Sequence, residues 1–214
     1  MAGVQVVGVV DAVAAALRSA VLDGELSSGA SVTEASVATR FEVARPSAKA
    51  AIEKLVADGL LVRSAHRSAR VRSLDADAVL DVYATRRRIE EAALRELAAS
   101  RAVPEAAADA QREIGEHLGG SSVDIVDPDM RFHSALVDAI GSERTSRAYA
   151  ALVDEVRLCM VQVQGRRLVS VDAILAEHAR ILDHLAAGDA DAAATELAGH
   201  LGRAGRRLAD AMRA

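Results

Sequence analysis

The chain has 214 residues, 51% apolar and 27% charged, and a formal net charge of −5. These proportions exclude an intrinsically disordered chain, and no apolar run reaches the ~18–20 residues of a membrane span, so no membrane association is expected. The length suits one large domain or two modest ones. Few aromatics and abundant Ala and Leu favour helix over strand, so a mainly α fold is expected. The single cysteine, Cys159, permits no internal disulfide and fits a reducing, cytoplasmic setting. The opening MAGVQVVGVVDAVAAAL lacks a basic segment and meets Asp11 early, unlike a secretory signal.

The first expected helix runs from Val9 to Leu22, with Val13, Leu17, Ala20 and Val21 on one stripe, and it closes at Gly24. GELSSGAS is loop chemistry. A short helix follows across Thr33–Phe41, with Thr33 as its N-cap. A turn around Glu42, Val43 and Ala44 leads into another helix with Pro46 in its first turn, where a missing N–H costs nothing. Ala48, Ala51, Ile52, Leu55 and Val56 recur at helical spacing until Gly59. Beyond it, LLVRS and ARVRS alternate apolar and polar residues on either side of AHRS, as in a two-stranded ribbon.

Helix, short helix, turn, helix, ribbon is the order of a winged helix-turn-helix. In that geometry the second helix of the motif points its N-terminal end into the major groove of double-stranded DNA. Arg45 and Lys49 lie one turn apart at that end, suited to guanine edges or phosphates. Ser47 could bond a phosphate, and His66 and Arg67 at the ribbon tip could reach an adjacent groove or the backbone. Charge supports this reading. Between Arg40 and Arg72 eight basic residues face three acidic ones, a local charge of +5, which leaves −10 for the rest.

The segment LRSAVLDGELSSGASVTEASVATRFEVARPSAKAAIEKLVADGLLVR resembles the DNA-binding domain of the GntR superfamily of bacterial regulators. Val21–Leu26, Val43, Arg45, Lys49, Ala51, Ile52, Leu55 and Gly59–Leu60 carry the likeness. It implies that Arg45 and Lys49 take the two basic recognition positions. The chain departs from the pattern at Ala35, where Arg is usual, and at Glu42, where the turn Gly is usual. It departs again at Ala44 in place of Ser and at His66 near the wing-tip Gly. These departures bear on operator sequence and affinity.

Residues 1–72 are thus read as the DNA-binding domain, 73–77 as a linker and 78–214 as an all-α antiparallel helical bundle. Six helical stretches are expected, near 77–100, 104–118, 126–141, 143–164, 170–187 and 189–212, broken at Pro104 and at Gly119–Gly120, Gly141, Gly165 and Gly188. Asp129 and His133 stand at i and i+4 on one helix face. His178 and His200 flank the Gly188–Asp189 turn, so two antiparallel helices bring them to similar height. An Asp and three His are ligands for a divalent metal in a bundle core, zinc first, with nickel, manganese or iron as alternatives.

The run Asp129, Phe132, His133, then Glu177, His178, Ile181, Leu182, Gly188, Asp189, Ala192 and His200 resembles the FCD domain of FadR-type members of that superfamily. The resemblance implies an effector-binding helical domain with Asp129, His133, His178 and His200 as metal ligands. Six helices rather than seven resemble its shorter, VanR-like variant. Arg86, in YATRRRIE, matches the first-helix signature and is implied to face the ligand cavity, where its fork suits a carboxylate; a structural salt bridge to Glu90 is the competing reading.

The whole implies a DNA-binding transcriptional regulator rather than an enzyme. It would be a homodimeric repressor on a pseudo-palindromic operator, controlled by a small carboxylate effector. Two alternatives are a metal-dependent hydrolase and an interaction module that has lost DNA binding.

Overall fold

The computed structural model describes residues 8–63, 67–118, 125–163 and 170–213. Contacts divide it into two compact units, Met1–Ser73 and Leu74–Ala214.

The first unit comprises α1 (Val9–Leu22), β1 (Ser31–Val32), α2 (Glu34–Arg40), α3 (Arg45–Ala57), β2 (Leu61–Val62) and β3 (Ala69–Val71). Leu17 and Val21 of α1 meet the buried face of α3, formed by Ala48, Ala51, Ile52 and Leu55. Thr33 caps α2 reciprocally: its Oγ1 accepts from the Ser36 N–H, and Ser36 Oγ accepts from the Thr33 N–H. Pro46 occupies the second position of α3. The ribbon gains a strand that was not expected from the sequence. The sheet order is β1-β3-β2, antiparallel throughout, with Val32 opposite Ala69 and Leu61 opposite Val71. Two residues inside a Gly/Ser-rich loop carry no alternating pattern, so β1 exists only through its pairing with β3.

The turn between α2 and α3 holds Glu42 at φ +52°, in the left-handed region. This is where the related pattern has Gly, which adopts that conformation without a Cβ penalty.

The second unit contains α4 (Ala76–Ser100), α5 (Glu105–Glu116), α6 (Val126–Asp138), α7 (Glu143–Gln162), α8 (Val171–Ala187) and α9 (Ala190–Arg213). Asp75 caps α4, its carboxylate accepting from the Ala78 N–H, so that helix begins inside the segment read as linker. α4 is the spine. It lies against α9 along most of its length and also touches α6, α7 and α8. The α9 contact is so close that a Cβ on Gly205 would stand 2.9 Å from the Tyr83 ring. α8 and α9 form an antiparallel hairpin across Gly188, at φ +79°, and Asp189, which accepts from the Ala192 N–H. The buried stripe of α4 is unusual in carrying Arg86 and Glu90 among its apolar residues.

Candidate metal centre and nucleic-acid interface

Asp129 and His133 project from one face of α6, His178 comes from α8 and His200 from α9. One ligand atom from each lies within 4.8 Å of all the others. His133 Nε2 and His200 Nε2 are 3.1 Å apart, and Asp129 Oδ1 is 3.4 Å from His178 Nε2 and 4.0 Å from His133 Nε2. Four ligands around a zinc-sized ion stand about 3.3–3.5 Å apart, given bonds of about 2.0–2.1 Å.

The donor chemistry fits a cation. Asp129 Oδ1 and both ring nitrogens of His178 are buried without a hydrogen-bond partner. The 3.4 Å approach of Asp129 to His178 is close in distance but is not aligned as a hydrogen bond. Buried polar atoms left this way are costly unless something else satisfies them. His133 and His200 each direct Nδ1 at a carboxylate, His133 at Glu90 Oε2 (2.6 Å) and His200 at Glu177 Oε2 (2.7 Å). With Nδ1–H donating to those acceptors, the two Nε2 lone pairs face each other, and a positive ion between them relieves the repulsion.

Each of these glutamates is itself held. Glu90 Oε1 accepts from Arg86 Nε at 3.1 Å and from the Tyr149 hydroxyl at 2.5 Å. Arg86, Glu90, His133 and Tyr149 are all at most 1% exposed. Glu177 Oε1 pairs with Arg203 at 2.6 Å. His178 has no such acceptor; its ring is stacked on Phe132 instead, centroids 3.7 Å apart and 4° from parallel.

Electrostatics suit ligation. Burial pushes His133 below its ordinary value although Glu90 opposes this, and burial with the His200, His133 and Arg86 charges pushes His178 well below, so both rings favour the neutral form that binds metals. Burial resists charge on Glu90, but His133 and Arg86 outweigh it and hold the carboxyl at about 2. The hydrogen bond from His200 lowers Glu177 against its partial burial, with help from Arg203. Burial raises Tyr83 to about 12 and Tyr149 well above its usual value, so both remain phenols.

A cavity of about 80 Å³ opens beside this cluster. Asp129, Glu177, His200, Arg203 and Arg207 supply its polar wall. Met130, Val156, Met160 and Ile174 belong to the apolar remainder. Arg86 does not line this cavity; it lies behind His133, joined to Glu90, with Nη2 buried and unpartnered. The salt-bridge reading of Arg86 is therefore the one the geometry supports. The sequence reading missed the Glu90 and Glu177 acceptors and the Arg203 and Arg207 wall. A signal existed for the arginines, since i+3 and i+7 from His200 fall on one helical face.

In the first unit Arg45 occupies the first position of α3 and Lys49 the next turn, both exposed, with Ser47 half-buried between them. Other cations of the basic segment are committed: Arg40 to Glu25, Lys54 to Asp11, Arg63 to Glu53, and Arg70 to the Gly29 carbonyl. Among the described residues, Arg45, Lys49 and Arg67 form no ion pair, which leaves their charges for another partner. His66 lies outside the described residues. Ala44 precedes α3 without a side-chain cap; Pro46 has no N–H, and the Ser47 N–H donates to the Ala44 carbonyl at 3.0 Å.

Comparison with known proteins agrees with both halves. The model of bacterial regulatory proteins of the gntR family matches residues 9–71, and the FCD domain model matches residues 81–203. YdhC of Bacillus subtilis (strain 168), an uncharacterised HTH-type transcriptional regulator, is 25% identical over 190 residues, covering 86% of this chain and 84% of that one. The Nta operon transcriptional regulator of Aminobacter aminovorans is 27% identical over 147 residues, or 65% and 68% of the two chains. A crystal structure described as a GntR transcriptional regulator from Rhodococcus sp. RHA1 superposes with a TM-score of 0.78 at 26% identity, covering 93% of this chain and 96% of its own. The family is one of regulators, not enzymes, so the hydrolase alternative falls away. No helix among the described residues is long and apolar enough to cross a membrane. This chain belongs to the gntR family of bacterial regulatory proteins, as a DNA-binding transcriptional regulator with a C-terminal FCD domain.

Proposed function

We propose that the chain is a cytoplasmic, homodimeric repressor whose affinity for its operator is set by a small carboxylate bound beside a divalent metal. Residues 1–72 act on DNA, 73–77 link, and 78–214 sense. Arg45 and Lys49 meet base edges or phosphates at the N-terminus of α3, with Ser47, His66 and Arg67 on the backbone or an adjacent groove. The freedom of Arg45, Lys49 and Arg67 from ion pairs among the described residues supports this assignment.

The observation that carries the sensor half is the convergence of Asp129, His133, His178 and His200 beside a cavity whose wall includes Asp129, His200 and two arginines. These four residues would hold the metal, zinc first by ligand type, and the ion would offer a Lewis-acidic anchor to a carboxylate oxygen. Arg203 and Arg207, rather than Arg86, are positioned to meet the acid. The apolar walls suit a carboxylate with a hydrocarbon body. The acid releases DNA by binding better to one domain arrangement than to the other.

The test is operator binding by gel shift across a panel of carboxylates, alongside metal content of the wild type and of His133→Ala. Loss of operator affinity with one acid, and loss of metal in the variant, is expected. Operator affinity indifferent to every acid would end the effector reading, and full metal content in His133→Ala would end the ligand assignment. An Arg45→Ala, Lys49→Ala variant that binds DNA as the wild type does would remove the recognition residues.

A further inference from the structure

The two carboxylate–histidine pairs behind the candidate metal centre are not equivalent. The Arg86–Glu90–His133 chain is sealed: none of its members is more than 1% exposed, and none lines the cavity. The Arg203–Glu177–His200 chain borders the cavity with all three members. Arg203 itself is 42% exposed in its side chain, while Glu177 is 14% exposed. Both Glu177 oxygens are committed, Oε2 to the His200 Nδ1–H and Oε1 to Arg203.

We propose that Arg203 couples the cavity to the metal centre: an anionic head group entering the cavity draws the Arg203 guanidinium away from Glu177, and Glu177 passes the change to His200. This rests on the carboxylate-effector reading above and adds the residue through which the effector is felt. The physical sequence is short. A guanidinium offers five N–H donors, and a carboxylate in the cavity competes for those now aimed at Glu177. Glu177 that loses this partner keeps its full charge for the bond from His200 Nδ1–H. That bond strengthens, and His200 Nε2 becomes a better electron donor. The acid also neutralises a positive charge that lies close to the four ligands. Both effects have the same sign, so carboxylate and metal reinforce each other, and the reinforcement is mutual by linkage.

Arg203→Met therefore imitates the bound acid. It removes the positive charge and frees Glu177, so it tightens metal binding with no acid present and abolishes the response to acid. Loss of a merely structural arginine would loosen the site instead. Arg203→Lys keeps the charge beside Glu177 and returns metal affinity toward that of the wild type.

The experiment is a chelator-competition titration of Co2+ into the full chain, with and without saturating benzoate as the carboxylate probe. It is read both as affinity and as the visible spectrum of the bound Co2+. Benzoate should tighten Co2+ binding of the wild type by about 10-fold, within the range of ordinary allosteric couplings, and shift its spectrum. Arg203→Met should bind Co2+ several-fold tighter without benzoate and gain little on its addition. Arg95→Gln, which removes an equal charge from the exposed Arg95–Asp191 pair, should behave as the wild type. Wild-type coupling that persists in Arg203→Met, or Co2+ binding loosened by that change, overturns the proposal while leaving the effector reading intact. Benzoate that binds the metal-free and Co2+-loaded wild type equally also overturns the proposal alone. Absence of any benzoate binding to the wild type overturns the proposal, and the effector reading falls with it when operator affinity is also indifferent to every acid of the panel.

Discussion

Replacing Glu90 by Gln keeps the side-chain shape and removes one buried negative charge. Glu90 accepts from Arg86 and Tyr149 on one oxygen and from the His133 Nδ1–H on the other, in a pocket with no solvent exposure. A glutamine supplies one oxygen and one NH2 there, so at one position donor meets donor, and the Arg86 cation loses its counter-ion. Removing one partner of a buried ion pair costs about 3–5 kcal/mol. The displacement of Glu90 from 4.5 to about 2 corresponds to about 3 kcal/mol on the folded side, an upper end because protonated His133 contributes to it. The two figures agree in order, against a typical domain stability of about 5–15 kcal/mol. Metal affinity should also fall by about 10–100-fold, because His133 loses the acceptor that sets its tautomer and orientation. The assay is urea unfolding of the metal-free protein followed by hydrogen exchange at α4 amides, since two units need not unfold together. Adding Arg86→Met to Glu90→Gln should recover about half or more of the loss, because no unpaired charge then remains buried. A Glu90→Gln cost below about 1 kcal/mol, or an equal cost in the Arg86→Met background, would refute the reasoning.

Gly205→Ala sets two effects against each other. Helix propensity favours Ala by about 1 kcal/mol, yet its Cβ would meet Tyr83 Cγ at 2.9 Å and Cβ at 3.0 Å, where the ring sits buried beneath Arg86. Packing should win by about 1–3 kcal/mol, lowering the thermal midpoint and altering the near-ultraviolet tyrosine signal; a more stable variant would contradict the close α4–α9 approach. Glu42→Gly relieves a left-handed residue at φ +52° and should stabilise the first unit by up to about 1 kcal/mol, net of the extra freedom of the unfolded chain. Chemical unfolding reads this directly, and a loss of stability would count against the strain. For the metal-free protein, stability should fall as the pH drops below about 6.5. Burial lowers His133 and His178 when folded, so the unfolded chain takes up more protons there. A second loss follows between about 4.5 and 2 as Glu90 titrates, its folded value being the lower one. A flat stability profile from pH 7 to 5 would deny the buried neutral histidines.

What the sequence determined by itself is local. Apolar spacing and Gly, Pro and cap residues located α1 to α9, with the sensor helices beginning and ending within about four residues of the expected limits. The i, i+4 spacing put Asp129 and His133 on one face, and the Gly188 turn brought α8 and α9 side by side, because both follow from helical repeat and chain reversal. Tertiary structure decided everything that needed a partner distant along the chain. Strand β1 formed because β3, 37 or more residues later, offered free hydrogen-bonding groups. Glu90 became the acceptor for His133, 43 residues away, and Glu177 the acceptor for His200, 23 away. Arg86 went to the closed interior with Glu90, while Arg203 and Arg207 took the cavity wall. Helical period tells which residues share a face of one helix. Which face meets which neighbour, and so whether an arginine looks into a cavity or is locked behind one, is settled only when the helices close around a common core.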